Sequence, residues 1–299
     1  MLRILPCIDS ERLAAERRRE LDLPQRRAAE LGWSAVEASE QGWYEDDAGR
    51  RVDWGPQVAA ALARRVSIPP DAALPEPTGP TYPETRVQVT NETTLGAARR
   101  LADGGWRPLA LNFANGVEPG GGFLQGARAQ EETLCRSSAL YATIVGDPMY
   151  EAHRARPLPD ATAWAILSPE VPVFGTDDGT RLPEPWPMSV LTCAAPYAPV
   201  IGQPAAGDML RQRIERVLAI ARAYGYASLV LGAWGCGVFE NDPVRTARDF
   251  REALATVFDE AFAEVVFAIT DWSPERRFLG PFRDAFDASA SDAGGADSA

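Results

Sequence analysis

From residue 86 onward the chain alternates between short apolar runs and longer stretches in which apolar residues recur every three or four positions. The short runs, RVQVT, PLALNFA, WAILS with PEVPVF, MSVLTCA, ASLVLGA and EVVFAIT, have the length and β-branched content of strands. The longer stretches predict helices over 93–103, 130–145, 208–224 and 243–259. In the second of these the apolar positions are Leu134, Ala139, Leu140, Ile144 and Val145. About six strands alternating with about five helices predict a three-layer α/β fold with a largely parallel sheet.

Before residue 86 the pattern differs. Residues 10–30 are charged and helix-prone with a break at Pro24, a small hairpin is expected around Asp47, Ala48 and Gly49, and 58–66 reads as another short helix. Six prolines between 68 and 83 end helical periodicity. This stretch is taken as the boundary between an N-terminal accessory region, 1–84, and a main domain, 85–287. The last residues, 288–299, are small, polar and acidic, and are expected to be disordered.

Composition narrows the chemistry. At 299 residues with 45% hydrophobic content, the chain supports one main domain with an extension. No apolar run is long enough to span a bilayer, and residues 1–10 lack the apolar core of a secretion signal. The expectation is a cytoplasmic, monomeric protein with no membrane partner. Cys7, Cys135, Cys193 and Cys236 are far apart, which suggests neither a disulfide framework nor a zinc site.

All 30 basic residues are arginine, so a P-loop lysine, a Schiff-base lysine and a kinase-type strand lysine are excluded. His153 is the only histidine; its polar, proline-flanked surroundings read as a solvated loop, which leaves little basis for a Ser-His-Asp triad or a histidine metal site. No metal and no cofactor are expected. The net charge of −12 argues against nucleic-acid binding, so any phosphorylated ligand must be held locally by backbone amides, helix N-termini or a few arginines.

Two glycine clusters follow predicted strands. After PLALNFA come Gly120, Gly121 and Gly122, then seven residues, then Gln130, Glu131 and Glu132 at the start of a predicted helix. Glycines permit close approach of backbone to a ligand, and carboxylates in the first turn of a helix are tolerated by its dipole. After ASLVLGA comes the second cluster, with Gly235, Cys236, Gly237, Val238 and Phe239 followed by Asp242 and Pro243 as a helix start. Ligands in open α/β sheets lie beyond the carboxyl ends of strands, so both loops could face one crevice. The second loop does not match the GxGxxG fingerprint of a dinucleotide-binding fold.

A glycine triplet followed by Gln-Glu-Glu resembles the signature of poly(ADP-ribose) glycohydrolases, and LNFANGVEPGGGFLQGARAQEETLCRSSALY is similar to their shorter bacterial-type branch. The resemblance implies a macrodomain-like mixed sheet flanked by helices, and hydrolysis of ribose–ribose O-glycosidic bonds in poly(ADP-ribose) to release ADP-ribose. It further implies that Glu132 is the acid and base, that Glu131 holds ribose hydroxyls, and that Asn115 contacts the distal ribose. Gly120, Gly121, Gly122 and Gln130 fall in its substrate site. The loop from Gly235 through Cys236, Gly237 and Val238 to Phe239 wraps the diphosphate, with Phe239 against the sugar. The adenine would lie near 90–93 by fold analogy. WYEDDAGRRVDW is similar to a turn in that branch's accessory region and is expected to pack on the main domain. Two other functions use the same crevice, a reader that binds ADP-ribose without cleaving it and a hydrolase that removes ADP-ribose from protein side chains. Glu132 separates the reader from the enzymes, since a reader has no use for a carboxylate at the scissile bond.

Overall fold

The computed structural model describes residues 1–77 and 79–287, and one eight-stranded mixed sheet organises it. The expected disordered tail, 288–299, lies outside the described residues. In chain order the elements are β1 (Leu2–Ile4), α1 (Glu11–Leu21), α2 (Gln25–Gln41), β2 (Trp43–Glu45), β3 (Arg51–Asp53), α3 (Gly55–Arg64), β4 (Val66–Ile68) and β5 (Thr85–Thr90). There follow α4 (Thr94–Asp103), β6 (Pro108–Ala114), α5 (Gln130–Ser137), α6 (Leu140–Ile144), α7 (Pro148–Arg154), β7 (Ala165–Gly175) and β8 (Arg181–Ala194). The chain ends with α8 (Ala198–Ile201), α9 (Ala205–Ala223), β9 (Ser228–Leu231), α10 (Pro243–Ala255), β10 (Glu264–Ala268) and α11 (Leu279–Ala285).

The strand order is β1-β5-β10-β9-β6-β8-β7-β4. Neighbours from β1 to β8 are parallel, whereas β7 pairs antiparallel with β8 and β4. Both edge strands come from residues 1–84, so the proline-rich stretch does not separate that segment from the sheet. The central strands are apolar on both faces because helices cover both. Val265 and Phe267 of β10 meet Ile214 and Phe250 of α9 and α10 on one side, while Val266 belongs with Leu95 of α4 and Leu134 of α5 on the other. This is the expected three-layer architecture.

Local chemistry explains the elements near the site. The Thr93 side chain caps α4 by accepting from the Gly96 amide, and Asp242 caps α10 ahead of Pro243. The hairpin β2–β3 places Tyr44 and Trp54 on Phe174, with ring centroids 5.3, 5.0 and 4.5 Å apart, so the accessory turn does pack on the main domain. Two expectations are corrected. The helix predicted over 130–145 breaks at Ser138, whose backbone is extended; there the Ser138 hydroxyl bonds the Leu134 carbonyl and the Ala139 amide bonds Pro172 of β7. WAILS and PEVPVF form one bulged strand, β7, and MSVLTCA is only the end of the long β8.

Candidate active site

Strands β6 and β9 are adjacent and parallel, and each runs into one of the glycine clusters at its carboxyl end. A cleft of about 590 Å³ opens there. Its lining includes Phe113, Gln130 and Thr133 from the first cluster's side and Ala233 and Gly237 from the second. Glu92 and Thr93, after β5, form another part of the wall, with Trp272 and Phe278 beyond β10. Residues flanking the first glycine cluster and Gly237 of the second therefore wall one crevice, to whose side α1 contributes Arg18 and Leu21; Gly120, Gly121, Gly122, Glu131 and Glu132 are not among its lining residues.

The three residues that open α5 have different jobs. The Gln130 amide group is spent on the protein: its oxygen accepts from the Phe113 amide at 2.9 Å, and its nitrogen donates to the Leu111 carbonyl at 2.8 Å and the Thr94 hydroxyl at 3.2 Å. It locks the helix to β6 and α4. Glu131 is buried, and both of its oxygens have protein donors, the Asn115 amide at 2.7 Å and the Asn112 side chain at 3.2 Å. Burial pushes its carboxyl up to about 8; the Asn115 and Asn112 bonds pull against that rise, and the Glu132 charge adds to it.

Glu132 differs from both. One oxygen accepts the Gly122 amide at 3.0 Å, while the other is buried with no partner among the described residues. A buried carboxylate oxygen without a donor is costly in a folded protein and is expected where it serves a reaction.

The glycine triplet is explained by these carboxylates. A Cβ on Gly121, whose φ is +57°, would collide with Glu132 Oε1 and lie 3.2 Å from Glu131 Oε2; one on Gly120 would strike the Phe123 ring. Only glycine lets the turn close on both glutamates. The Gly121 amide bonds the Glu118 carbonyl and the Gly122 amide bonds Glu132, so these two donors face inward rather than towards a phosphate. Asn115 is likewise engaged, its side-chain oxygen accepting from the Val117 and Glu118 amides.

The second loop is built the opposite way. Gly235, at φ +76°, packs against Ala195 and Asn241, and the Asn241 side chain ties down the carbonyls of Pro196, Gly235 and Phe239. Cys236 is buried beneath the loop, with its amide on the Ala233 carbonyl. Beyond it Gly237 has nothing within 4 Å of a Cβ position, Val238 is 77% exposed, and Phe239 stands edge-on to Tyr197 at 5.6 Å. Among the described residues, the amides of Gly237, Val238 and Phe239 meet no acceptor. Of the three, Gly237 lines the cleft.

Residues 33–176 match the family model for the microbial-type PARG, or poly(ADP-ribose) glycohydrolase, catalytic domain. The crystal structure of poly(ADP-ribose) glycohydrolase from Thermomonospora curvata is 39% identical, with a TM-score of 0.80 over 87% of this chain and 99% of that one. This chain belongs to the microbial poly(ADP-ribose) glycohydrolases. A second T. curvata structure of that family, bound to the inhibitor ADP-HPD, is 40% identical at the same TM-score, over 87% of this chain and 99% of that one. The family's enzyme from Deinococcus radiodurans, solved with ADP-ribose, is 39% identical with a TM-score of 0.70 over 77% of this chain and 96% of that one. No curated protein matches.

Reading the glycohydrolase signature along the sequence misses three residues that the structure brings to it. Asn112, buried in β6, holds Glu131 and the Thr192 hydroxyl; its signal was a lone polar residue inside an apolar strand. Asp177, in the turn between β7 and β8, lines the cleft and accepts from the Thr93 hydroxyl at 2.8 Å. Burial pushes its carboxyl up to about 7, opposed by the Thr93 bond. His153 is the third and corrects the expectation of a solvated loop: it is buried on α7. Asp147 and Pro148 announce that helix, and Met149, Tyr150 and His153 share its inner face.

Proposed function

We propose that this chain hydrolyses the ribose–ribose O-glycosidic bonds of poly(ADP-ribose) and releases ADP-ribose. The observation that carries the reading is the state of Glu132, with one oxygen pinned by the Gly122 amide and the other buried and unpartnered among the described residues, in the first turn of α5 whose Gln130 and Thr133 line the cleft. The cleft has the size usual for a small-ligand site, roughly 300–1,000 Å³. The solved relatives support the same ligand class.

In this mechanism Glu132 protonates the leaving ribose oxygen as its bond to the anomeric carbon breaks. The resulting carboxylate then takes a proton from the water that attacks that carbon, which restores the acid. Most glycosidases divide these duties between two carboxylates across the bond. Here the neighbouring Glu131 is occupied with Asn112 and Asn115, so one carboxylate acts twice. Glu131 keeps spare lone pairs for a ribose hydroxyl. The free amides of Gly237, Val238 and Phe239 hold the diphosphate, whose charge lies near the developing oxocarbenium ion. The purine end occupies the part of the cleft walled by Glu92, Thr93, Trp272 and Phe278. Chromatography of the products from purified poly(ADP-ribose) tests the reading: ADP-ribose should accumulate, and intact polymer after prolonged incubation would mark the protein as a reader.

A further inference from the structure

His153 is buried and touches no part of the cleft, yet it reaches the catalytic turn through backbone. Its Nε2 accepts the Thr162 amide at 3.1 Å, with the Thr162 hydroxyl 2.7 Å away. A backbone N–H can only donate, so the network assigns the ring proton to Nδ1, which donates to the Gly116 carbonyl at 3.0 Å. Gly116 is wedged in place, since a Cβ there would lie 3.2 Å from the Cβ atoms of both Ala161 and Ala194. From the same helix Arg154 grips the Val117 carbonyl at 2.5 Å. On either side of this anchored peptide, the Asn115 amide holds Glu131 and the Glu118 carbonyl receives the Gly121 amide at 2.9 Å.

We infer that His153 is a positioning residue for the catalytic turn: as neutral imidazole it fixes the 115–118 segment, and through it the seat of Glu131 and the start of the glycine triplet. The inference rests on the proposed hydrolysis only for its kinetic consequence. Protonation would place a hydrogen on Nε2 against the Thr162 N–H and so remove the acceptor that orients the ring. The charges facing the imidazole are Arg213 of α9, whose guanidinium binds the Ala194 and Asp160 carbonyls, and the Arg156–Asp160 pair beyond α7. Burial lowers the His153 pKa below its ordinary value; the Gly116 bond opposes this, Arg213 and Arg156 reinforce it, and Asp160 opposes it weakly. The ring is therefore neutral at pH 7, and the arrangement loosens on the acid side.

Three variants separate positioning from packing. His153→Asn keeps a donor near the Nδ1 position, His153→Gln keeps an acceptor near Nε2, and His153→Phe fills the space with neither. Turnover of poly(ADP-ribose), melting temperature, and amide hydrogen exchange of residues 115–118 by mass spectrometry are measured on each. Misplacing a reacting group by about 1 Å can cost on the order of 10²-fold. His153→Phe is accordingly expected to lower kcat by about 10- to 100-fold, with KM within about threefold and faster exchange in the segment; His153→Asn should recover most of both. Corrected for the intrinsic exchange rate at each pH, the protection of these amides in the wild type should drop as pH falls below the ordinary histidine value, and that of His153→Asn should not. If His153→Phe does not fold, His153→Gln against His153→Asn makes the same comparison. Unchanged exchange in the segment, or a kcat that follows only the folded fraction, overturns the inference. If the wild type does not cleave polymer, faster exchange in His153→Phe still sustains the positioning role, and the failure belongs to the proposed function.

Discussion

The Gly122 amide donates to Glu132 Oε1 at 3.0 Å, and no described residue donates to Glu132 Oε2. The carboxyl is thereby aimed by the backbone of the glycine triplet, with one oxygen fixed and the other unpartnered among the described residues. In this protein the triplet's backbone holds the Glu132 carboxyl.

Gly121→Ala tests that role. The added methyl meets Glu132 Oε1, and its φ of +57° is strained for alanine by roughly 1–2 kcal/mol. The variant should fold with a lowered melting temperature and lose at least about tenfold in kcat. Wild-type turnover from this variant would show that the turn does not set the Glu132 geometry.

Gly237→Val addresses the diphosphate loop. Gly237 is exposed, its φ is not positive, and nothing lies within 4 Å of a Cβ position, so valine should leave the melting temperature within about 1–2 °C of wild type. The branched side chain would occupy the space through which a phosphate reaches the free amides. Calorimetry should show ADP-ribose affinity reduced by tenfold or more; equal affinity would place the diphosphate elsewhere.

Stability should also depend on pH in a defined direction. Glu131 rises from 4.5 to about 8 and Asp177 from 3.8 to about 7 on folding, chiefly through burial. Both folded values exceed the unfolded ones, so the folded state binds more protons between them. The stabilisation is complete below the unfolded values and is lost as pH rises through the folded ones. Between pH 6.5 and 8, a window above the ordinary histidine value, the melting temperature should fall with rising pH. Glu131→Gln should make that slope shallower, and an unchanged slope would contradict the Glu131 assignment.

Much of this was legible in the chain. The parallel strands are apolar on both faces, which their uninterrupted runs announce, and the glycine clusters stand beyond the ends of β6 and β9. What local pattern could not show was long-range pairing. Ser138 leaves the helix because Ala139 finds Pro172 on a strand more than thirty residues later, and the prolines of β8 conceal a strand whose partner is the equally proline-marked β7. The protein bonds of Gln130 and Asn115 were hidden for a related reason. The Gln130 side chain is taken up by Phe113, Leu111 and Thr94, and the Asn115 side-chain oxygen by Val117 and Glu118, contacts made only once the loop has folded back. The edge strands β1 and β4 are three residues each, too short to carry a period.

The central claim is that Glu132 performs the proton transfers at the scissile bond, and Glu132→Gln tests it most directly. Glutamine can still accept the Gly122 amide but cannot supply the proton, and a positioned acid and base contributes roughly 10²–10⁴-fold. Initial rates of ADP-ribose release from poly(ADP-ribose), taken alongside ADP-ribose binding by calorimetry, should show turnover reduced by about that factor with affinity within about threefold of wild type. A Glu132→Gln protein that releases ADP-ribose at the wild-type rate would contradict the account.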